Sequence, residues 1–199
     1  MPGEMDRKEF LKRGWMRLLL PFLAEAEEDE WLPPRDRVGE RPLLRPPGAI
    51  PEPDFLSTCH RCGTCVEACP ADAIRFAEEG EGLAAGTPII VAAAAPCVVC
   101  DALACMANCP SGALRLVPKE SIRMGVARVE LDDCLAWNGA DPGCRACVEM
   151  CPFAGTAISV EAERGPVVHE AACTGCGLCE FYCPAGKTAI LVEPIPRVS

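Results

Sequence analysis

The stretch Cys173–Pro184 constrains this chain more than any other. It reads Cys173-Thr-Gly-Cys176-Gly-Leu-Cys179-Glu-Phe-Tyr-Cys183-Pro184, a C-x2-C-x2-C-x3-C-P run. The three close spacings let three thiolates wrap one iron–sulfur cube. The fourth Cys, displaced by half a helical turn and followed by Pro, points away from the first three. In such a run it ligates a second [4Fe–4S] cluster. Gly175 and Gly177 suit a loop that curls tightly, because glycine takes positive φ without steric cost.

The run occurs four times. The first is Cys59, Cys62, Cys65, Cys69 and Pro70, with the same spacing. The second is Cys97, Cys100, Cys105, Cys109 and Pro110, with two residues inserted before its third Cys. The third is Cys134, Cys144, Cys147, Cys151 and Pro152, with nine residues between its first two Cys. The fourth ends at Cys183. Ala73–Ala77, Pro88–Ala95, Gly112–Val117, Thr156–Val160, Val167–His169 and Thr188–Val192 are predicted strands beside the runs. One unit therefore repeats: strand, Cys loop, short helix ending at Cys-Pro, strand. The fourth Cys of each unit serves another, so units must pair. Four units predict an α+β chain with two ferredoxin-like domains and four [4Fe–4S] clusters. Their ligands are the sixteen cysteines just named. Two pairings are open. A tandem pairing joins the first run with the second and the third with the fourth, so that Cys183 completes the set Cys134, Cys144, Cys147. A nested pairing joins first with fourth and second with third, so that Cys183 completes Cys59, Cys62, Cys65. Neighbour logic along the chain favours tandem.

Composition agrees with a chain that needs cross-links. Its 199 residues include 16 Cys but only 1 Tyr, 3 Trp and 6 Phe, which leaves few large side chains for a core. Residues three apart in a loop are poorly placed for eight separate disulfides. The formal charge of −10 speaks against nucleic acid as a partner, since backbone binding needs a positive surface. No run reaches the roughly 18–20 apolar residues of a membrane span.

The first 53 residues hold no Cys and read as a separate arm, leaving residues 54–199 as the cluster-binding region. Phe10, Leu11, Trp15, Leu18 and Leu19 recur at helical spacing over Asp6–Leu20, with Lys8, Lys12, Arg13 and Arg17 between them. Pro21 ends this helix, and an acidic run, Glu25–Glu30, follows. Pro33, Pro34, Pro42, Pro46, Pro47, Pro51 and Pro53 then predict an extended linker. Arg7-Lys8-Glu9-Phe10-Leu11-Lys12 resembles a twin-arginine export motif with Lys as its second basic residue. Arg17, however, interrupts the apolar stretch that export signals need. The competing reading is a basic amphipathic helix that docks on a partner or touches a membrane surface, which leaves the chain cytoplasmic.

Zinc is the alternative metal, because C-x2-C pairs also bind it. Zinc sites use two separated pairs, not a third Cys at x2 and a fourth at x3 before Pro. A zinc-stabilised interaction module and a catalytic iron–sulfur oxidoreductase are the competing functions. The second needs a cofactor fingerprint or an incompletely ligated cluster. No phosphate loop, nucleophile–base pair or nicotinamide motif is present. His60 and His169 flank Cys loops and read as solvated surface residues. Trp137 marks either a docking surface or a packing contact, and Trp15 and Trp31 read as partner contacts.

With the runs placed, the chain resembles four-cluster ferredoxin subunits related to the beta subunit of dimethyl sulfoxide reductase, and within them the NapG/MauM group. The residues that carry the resemblance are Arg45-Pro-Pro-Gly-Ala-Ile50, Cys59–Pro70, Gly86-Thr87-Pro88, Cys109-Pro-Ser-Gly-Ala-Leu114, Arg123-Met124-Gly125 and Ala172–Gly177. It implies a non-enzymatic electron-transfer subunit between a membrane quinol-oxidising donor and a partner oxidoreductase. It also implies the nested pairing, toward which the two arguments together lean.

Overall fold

A short helix precedes the Cys runs, and a shorter one sits in each of them. A computed structural model describes residues 42–161, 164–185 and 189–196, all within one compact unit, Gly39–Ser199. The expected arm helix, the acidic run, the export motif, Trp15 and Trp31 lie outside the described residues. Helix α1 (Glu52–Thr58) starts behind Pro51, holds a second Pro in its first turn, and has Glu52 and Asp54 there to complement the helix dipole. Helices α2 (Thr64–Glu67), α3 (Ala104–Ala107), α4 (Ala146–Glu149) and α5 (Leu178–Phe181) are one turn each. Each carries the third Cys of its run. Each ends two residues before the fourth Cys, whose following Pro cannot continue a helix.

Six short strands complete the fold: β1 (Ile74–Phe76), β2 (Pro88–Ile90), β3 (Gly125–Val129), β4 (Ile158–Val160), β5 (Pro166–Val168) and β6 (Ile190–Pro194). They form three antiparallel pairs. β1 pairs with β2, Ile74 opposite Ile90, and lies between the first two Cys runs. β4 pairs with β5, Ile158 opposite Val168, and lies between the last two. β3 pairs with β6, Gly125 opposite Pro194 and Val129 opposite Ile190, enclosing the last two runs. The first two runs are enclosed in the same way by an antiparallel bridge between Ala49 and Leu114. The topology therefore occurs twice, an inner hairpin between two Cys runs and an outer pairing around them.

The outer pairing of the first half is short for a local reason. Gly112–Val117 is predicted as a strand, yet only Leu114 bridges. Its partner segment contains Pro46 and Pro47, which have no N–H to donate to a ladder. What remains is Ile50 N–H to Ala113 O (3.1 Å) and Arg115 N–H to Gly48 O (2.8 Å).

The same segment corrects the expected linker, which does not extend to Pro53. Leu44, Arg45, Ala49 and Ile50 are buried, and Leu44 O accepts from Ile90 N–H at 2.8 Å. Arg45 is 1% exposed. Its Nε donates to Glu52 at 3.0 Å, its Nη1 to Thr87 Oγ1 at 2.7 Å and to Pro88 O at 3.0 Å, and its Nη2 also reaches Glu52. Its guanidinium stands 4.7 Å over the Phe55 ring. A planar five-donor group satisfies itself here where lysine could not. Proline in this stretch stiffens a packed strap rather than an extended spacer.

Phe55, Ile90, Met106, Leu114, Ile122 and Met124 form the larger apolar cluster. Val126, Ala127, Ile158 and Ile190 form a smaller one in the second half. No helix of the described residues is long and apolar enough to cross a membrane.

Candidate metal centres

The Cys loops impose their own backbone. The second residue after the first Cys takes positive φ in three of them: Arg61 (54°), Val99 (47°) and Gly175 (72°). The residue before the one-turn helix does the same at Gly63 (81°), Leu103 (45°) and Gly177 (89°). Each reversal turns the backbone so that successive thiols face one interior. Positive φ at a β-branched residue such as Val99 is strained, a cost of about 1–2 kcal/mol that a functional loop retains.

None of the sixteen cysteines is in a disulfide, and the fold gathers them in four groups of four. Group I is Cys59, Cys62, Cys65 and Cys109, around a small cavity that Phe55 and Pro88 also line. Group II is Cys69, Cys97, Cys100 and Cys105, around another with Ile74, Ile90 and Val99. Group III is Cys151, Cys173, Cys176 and Cys179, around a third with Ile158 and Val168. Group IV is Cys134, Cys144, Cys147 and Cys183, whose thiols lie within electrostatic reach of one another. Each group takes three thiols from one run and the fourth from its chain neighbour. This is the tandem pairing.

The nested pairing is therefore corrected. It would set Cys183 beside Cys59, Cys62 and Cys65, where the structure has Cys109. It would set Cys109 beside Cys134, Cys144 and Cys147, where the structure has Cys183. The outer pairings explain the outcome. Ala49 with Leu114 closes the first two runs on each other, and β3 with β6 closes the last two. Neighbouring units also meet at the smaller loop-closure cost. The long gap between Cys134 and Cys144 is no obstacle, since the intervening loop folds out and Cys144 rejoins its group.

The donor set fits [4Fe–4S] clusters: four thiols converge in each group, and in three of the groups they surround an apolar cavity. Burial pushes Cys65 up to about 11, with like charge from Cys59, Cys109 and Cys62 adding to it. Burial likewise pushes Cys97, Cys105 and Cys147 up to about 12, and Cys179 is raised for the same reason. Four thiolates in one apolar site are untenable without cationic charge among them, and iron supplies it. Iron–sulfur loading must therefore displace protons from these thiols.

Two cysteines run the other way. The Thr64 hydroxyl, 3.3 Å from Cys62 Sγ, lowers that exposed thiol. At Cys109 burial is the largest single influence and raises it. Hydrogen bonds from Leu114 N–H (3.4 Å) and the Ser111 hydroxyl and backbone together outweigh burial, and the thiol is lowered. Ala73 N–H to Cys69 Sγ (3.3 Å), Val99 N–H to Cys97 Sγ (3.4 Å) and Ala127 N–H to Cys173 Sγ (3.5 Å) extend the pattern. Hydrogen bonds to sulfur are one means by which a protein sets a cluster's potential. Sequence reading missed Thr64 and Ser111, although both stand two residues after a Cys, a spacing that was open to view.

The remaining candidates resolve plainly. His60 is exposed at the rim of group I, and His169 is exposed with its Nε2 2.8 Å from Ser159 Oγ. Trp137 is a packing residue. Its Nε1–H donates to Pro166 O at 3.1 Å, and its indole lies where a Cβ on Gly165 would stand 2.4 Å from it.

Among known proteins, residues 58–113 and 96–155 match the 4Fe-4S dicluster domain family, and residues 166–186 match the 4Fe-4S binding domain family. The two dicluster matches share the second Cys run, so they favour no pairing. The chain is 40% identical over 183 residues to the methylamine utilization ferredoxin-type protein MauM of Methylorubrum extorquens, covering 87% of this chain and 82% of that protein. It is 44% identical over 144 residues to the ferredoxin-type protein NapG of Escherichia coli, covering 66% and 62%. It is 45% identical over 143 residues to MauM of Paracoccus denitrificans, with the same coverage. The chain thus spans less than two thirds of the latter two relatives. No solved structure matches.

Proposed function

The chain belongs to the NapG/MauM group of ferredoxin-type electron-transfer proteins, and on that premise we propose that its sixteen cysteines ligate four [4Fe–4S] clusters in two ferredoxin-like domains, one per half. The observation that carries this reading is the gathering of every cysteine into a complete group of four. When bound, a [4Fe–4S] cluster supplies one-electron redox chemistry. The chain's own part is to hold each cluster by four thiolates, to shield it with apolar walls, and to adjust it by N–H and hydroxyl donors at sulfur. A full set of Cys ligands leaves no iron open to a substrate. The protein is therefore a carrier and not an enzyme.

Its partners in this reading are two redox proteins, a membrane quinol-oxidising donor and an acceptor oxidoreductase. The arm within residues 1–53 docks on one of them. Arg17, which breaks the apolar stretch after Arg7-Lys8, supports a placement on the cytoplasmic side. Recovery of the native protein in the periplasmic fraction would overturn that placement in favour of twin-arginine export.

The test of the central reading is iron and acid-labile sulfide per chain on anaerobically purified protein, with zinc assayed alongside. About sixteen iron and sixteen sulfide are expected. Little iron with about four zinc would instead make this a structural module.

A further inference from the structure

The last Cys loop does not sit only in the half that its strands build. Residues 173–178 are buried throughout. Cys176 and Leu178 belong to the apolar cluster of Phe55, Leu114 and Met124 in the first half. There the Cys97 N–H donates to Cys176 O at 2.8 Å. Beside this bond Gly177, at φ +89°, lies so near Ala92 that a Cβ would stand 2.5 Å from the Ala92 Cβ. Met124 N–H to Thr174 O (2.9 Å) holds the other side of the loop.

Cys97 belongs to group II and Cys176 to group III. Among the described residues, theirs is the only backbone hydrogen bond between cysteines of different groups.

Resting on the four-cluster reading above, we propose that the Cys97–Cys176 contact is the electronic junction of the molecule. Groups II and III are the inner pair, and groups I and IV are the two ends. The order I–II–III–IV then follows from covalent structure, because groups I and II exchange Cys69 and Cys109, and groups III and IV exchange Cys151 and Cys183. The step served at the junction is a one-electron exchange. One site is oxidised by one electron as its neighbour is reduced by one, with no bond made or broken and no co-reactant. Gly177 is a positioning residue in this scheme, since it lets the two ligand backbones meet.

The experiment uses full-length, iron-loaded protein reduced with dithionite and read by electron paramagnetic resonance. Gly177→Ala drives the loop off Ala92. It should keep its iron and sulfide while losing the magnetic interaction between the halves, and adding Ala92→Gly should restore part of that interaction. An unchanged interaction at full iron content would overturn the proposal. Should Gly177→Ala fail to load, two ligand variants decide. Cys62→Ser, in group I, should leave the interaction between the halves intact, and Cys100→Ser, in group II, should abolish it. The reverse result would place the junction elsewhere. Wild-type iron well below four clusters per chain would defeat the four-cluster reading instead, so the two failures are distinguishable.

Discussion

The two halves share a topology and differ in what holds it together. The first half closes its outer pairing with one bridge, at Ala49 and Leu114, but is filled by Phe55, Met106, Leu114, Ile122 and Met124 and strapped by Arg45. The second half closes with a five-residue ladder between β3 and β6, yet its own cluster is small: Val126, Ala127, Ile158 and Ile190 around Cys147 and Cys173. Side-chain volume does in the first half what backbone pairing does in the second. A short ladder over a thin core is marginal by itself, since isolated two-stranded pairs are barely stable in water. The second half should therefore lean harder on its metal.

Iron removal is the strongest way to separate them. Anaerobic chelation should abolish amide protection across residues 125–196, while part of the protection over 44–58 and 88–90 survives. Hydrogen exchange followed by mass spectrometry reads both regions in one sample. Equal survival in the two halves would contradict the contrast. Next in size is Arg45→Met. It removes the buried partner of Glu52 and leaves the Pro88 carbonyl without its Arg45 donor, while the Thr87 hydroxyl keeps its bond to Ala84 O. Breaking a buried pair from one side costs about 3 kcal/mol. Denaturant unfolding should report that loss, with the faster exchange confined to the first half.

Much of this was open to view in the sequence. The four runs marked the cysteines that the fold gathers, the repeat and the hairpin between neighbouring runs, because the spacing of a Cys run is a local property. Three things were not legible. The pairing of runs depends on which outer segments meet, and one of these, β3, carries no Cys to mark it, although Gly125-Val-Ala-Arg-Val129 ends in a short apolar–polar alternation. The strap at Leu44–Ile50 was hidden by its prolines, whose composition reads as linker until Arg45 finds Glu52, Thr87 and Pro88. The close approach of Gly177 to Ala92 is a contact between residues far apart in the chain, and no local pattern announces it.

The ladder of the second half can be tested at its tightest point. Gly125 opens β3 where a Cβ would stand 2.5 Å from Glu193 O and 2.8 Å from Val192 Cγ1. Gly125→Ala must push β6 away and should cost about 1–3 kcal/mol by overpacking. The same substitution at Gly112, which has nothing within 4 Å, meets no such wall and is penalised only for its positive φ of 76°. A Gly125→Ala protein as stable as wild type would show that the outer ladder contributes little and that the contrast between the halves is misdrawn.

The smallest effect concerns the loop that makes the third run irregular. Trp137 fastens this nine-residue excursion to the β4–β5 hairpin through its indole N–H on Pro166 O and its ring on Gly165. Trp137→Phe keeps an aromatic ring and removes the donor, so it should cost about 1 kcal/mol. Exchange should quicken over residues 135–143 while iron content stays at the wild-type value, because none of Cys134, Cys144, Cys147 and Cys183 is touched. The first half has no counterpart to this clamp, since the first two runs carry no such excursion. Loss of one cluster's worth of iron in Trp137→Phe would mean that the clamp delivers Cys144 to its group, and that the second half depends on side-chain packing at the site where this comparison assigns it least.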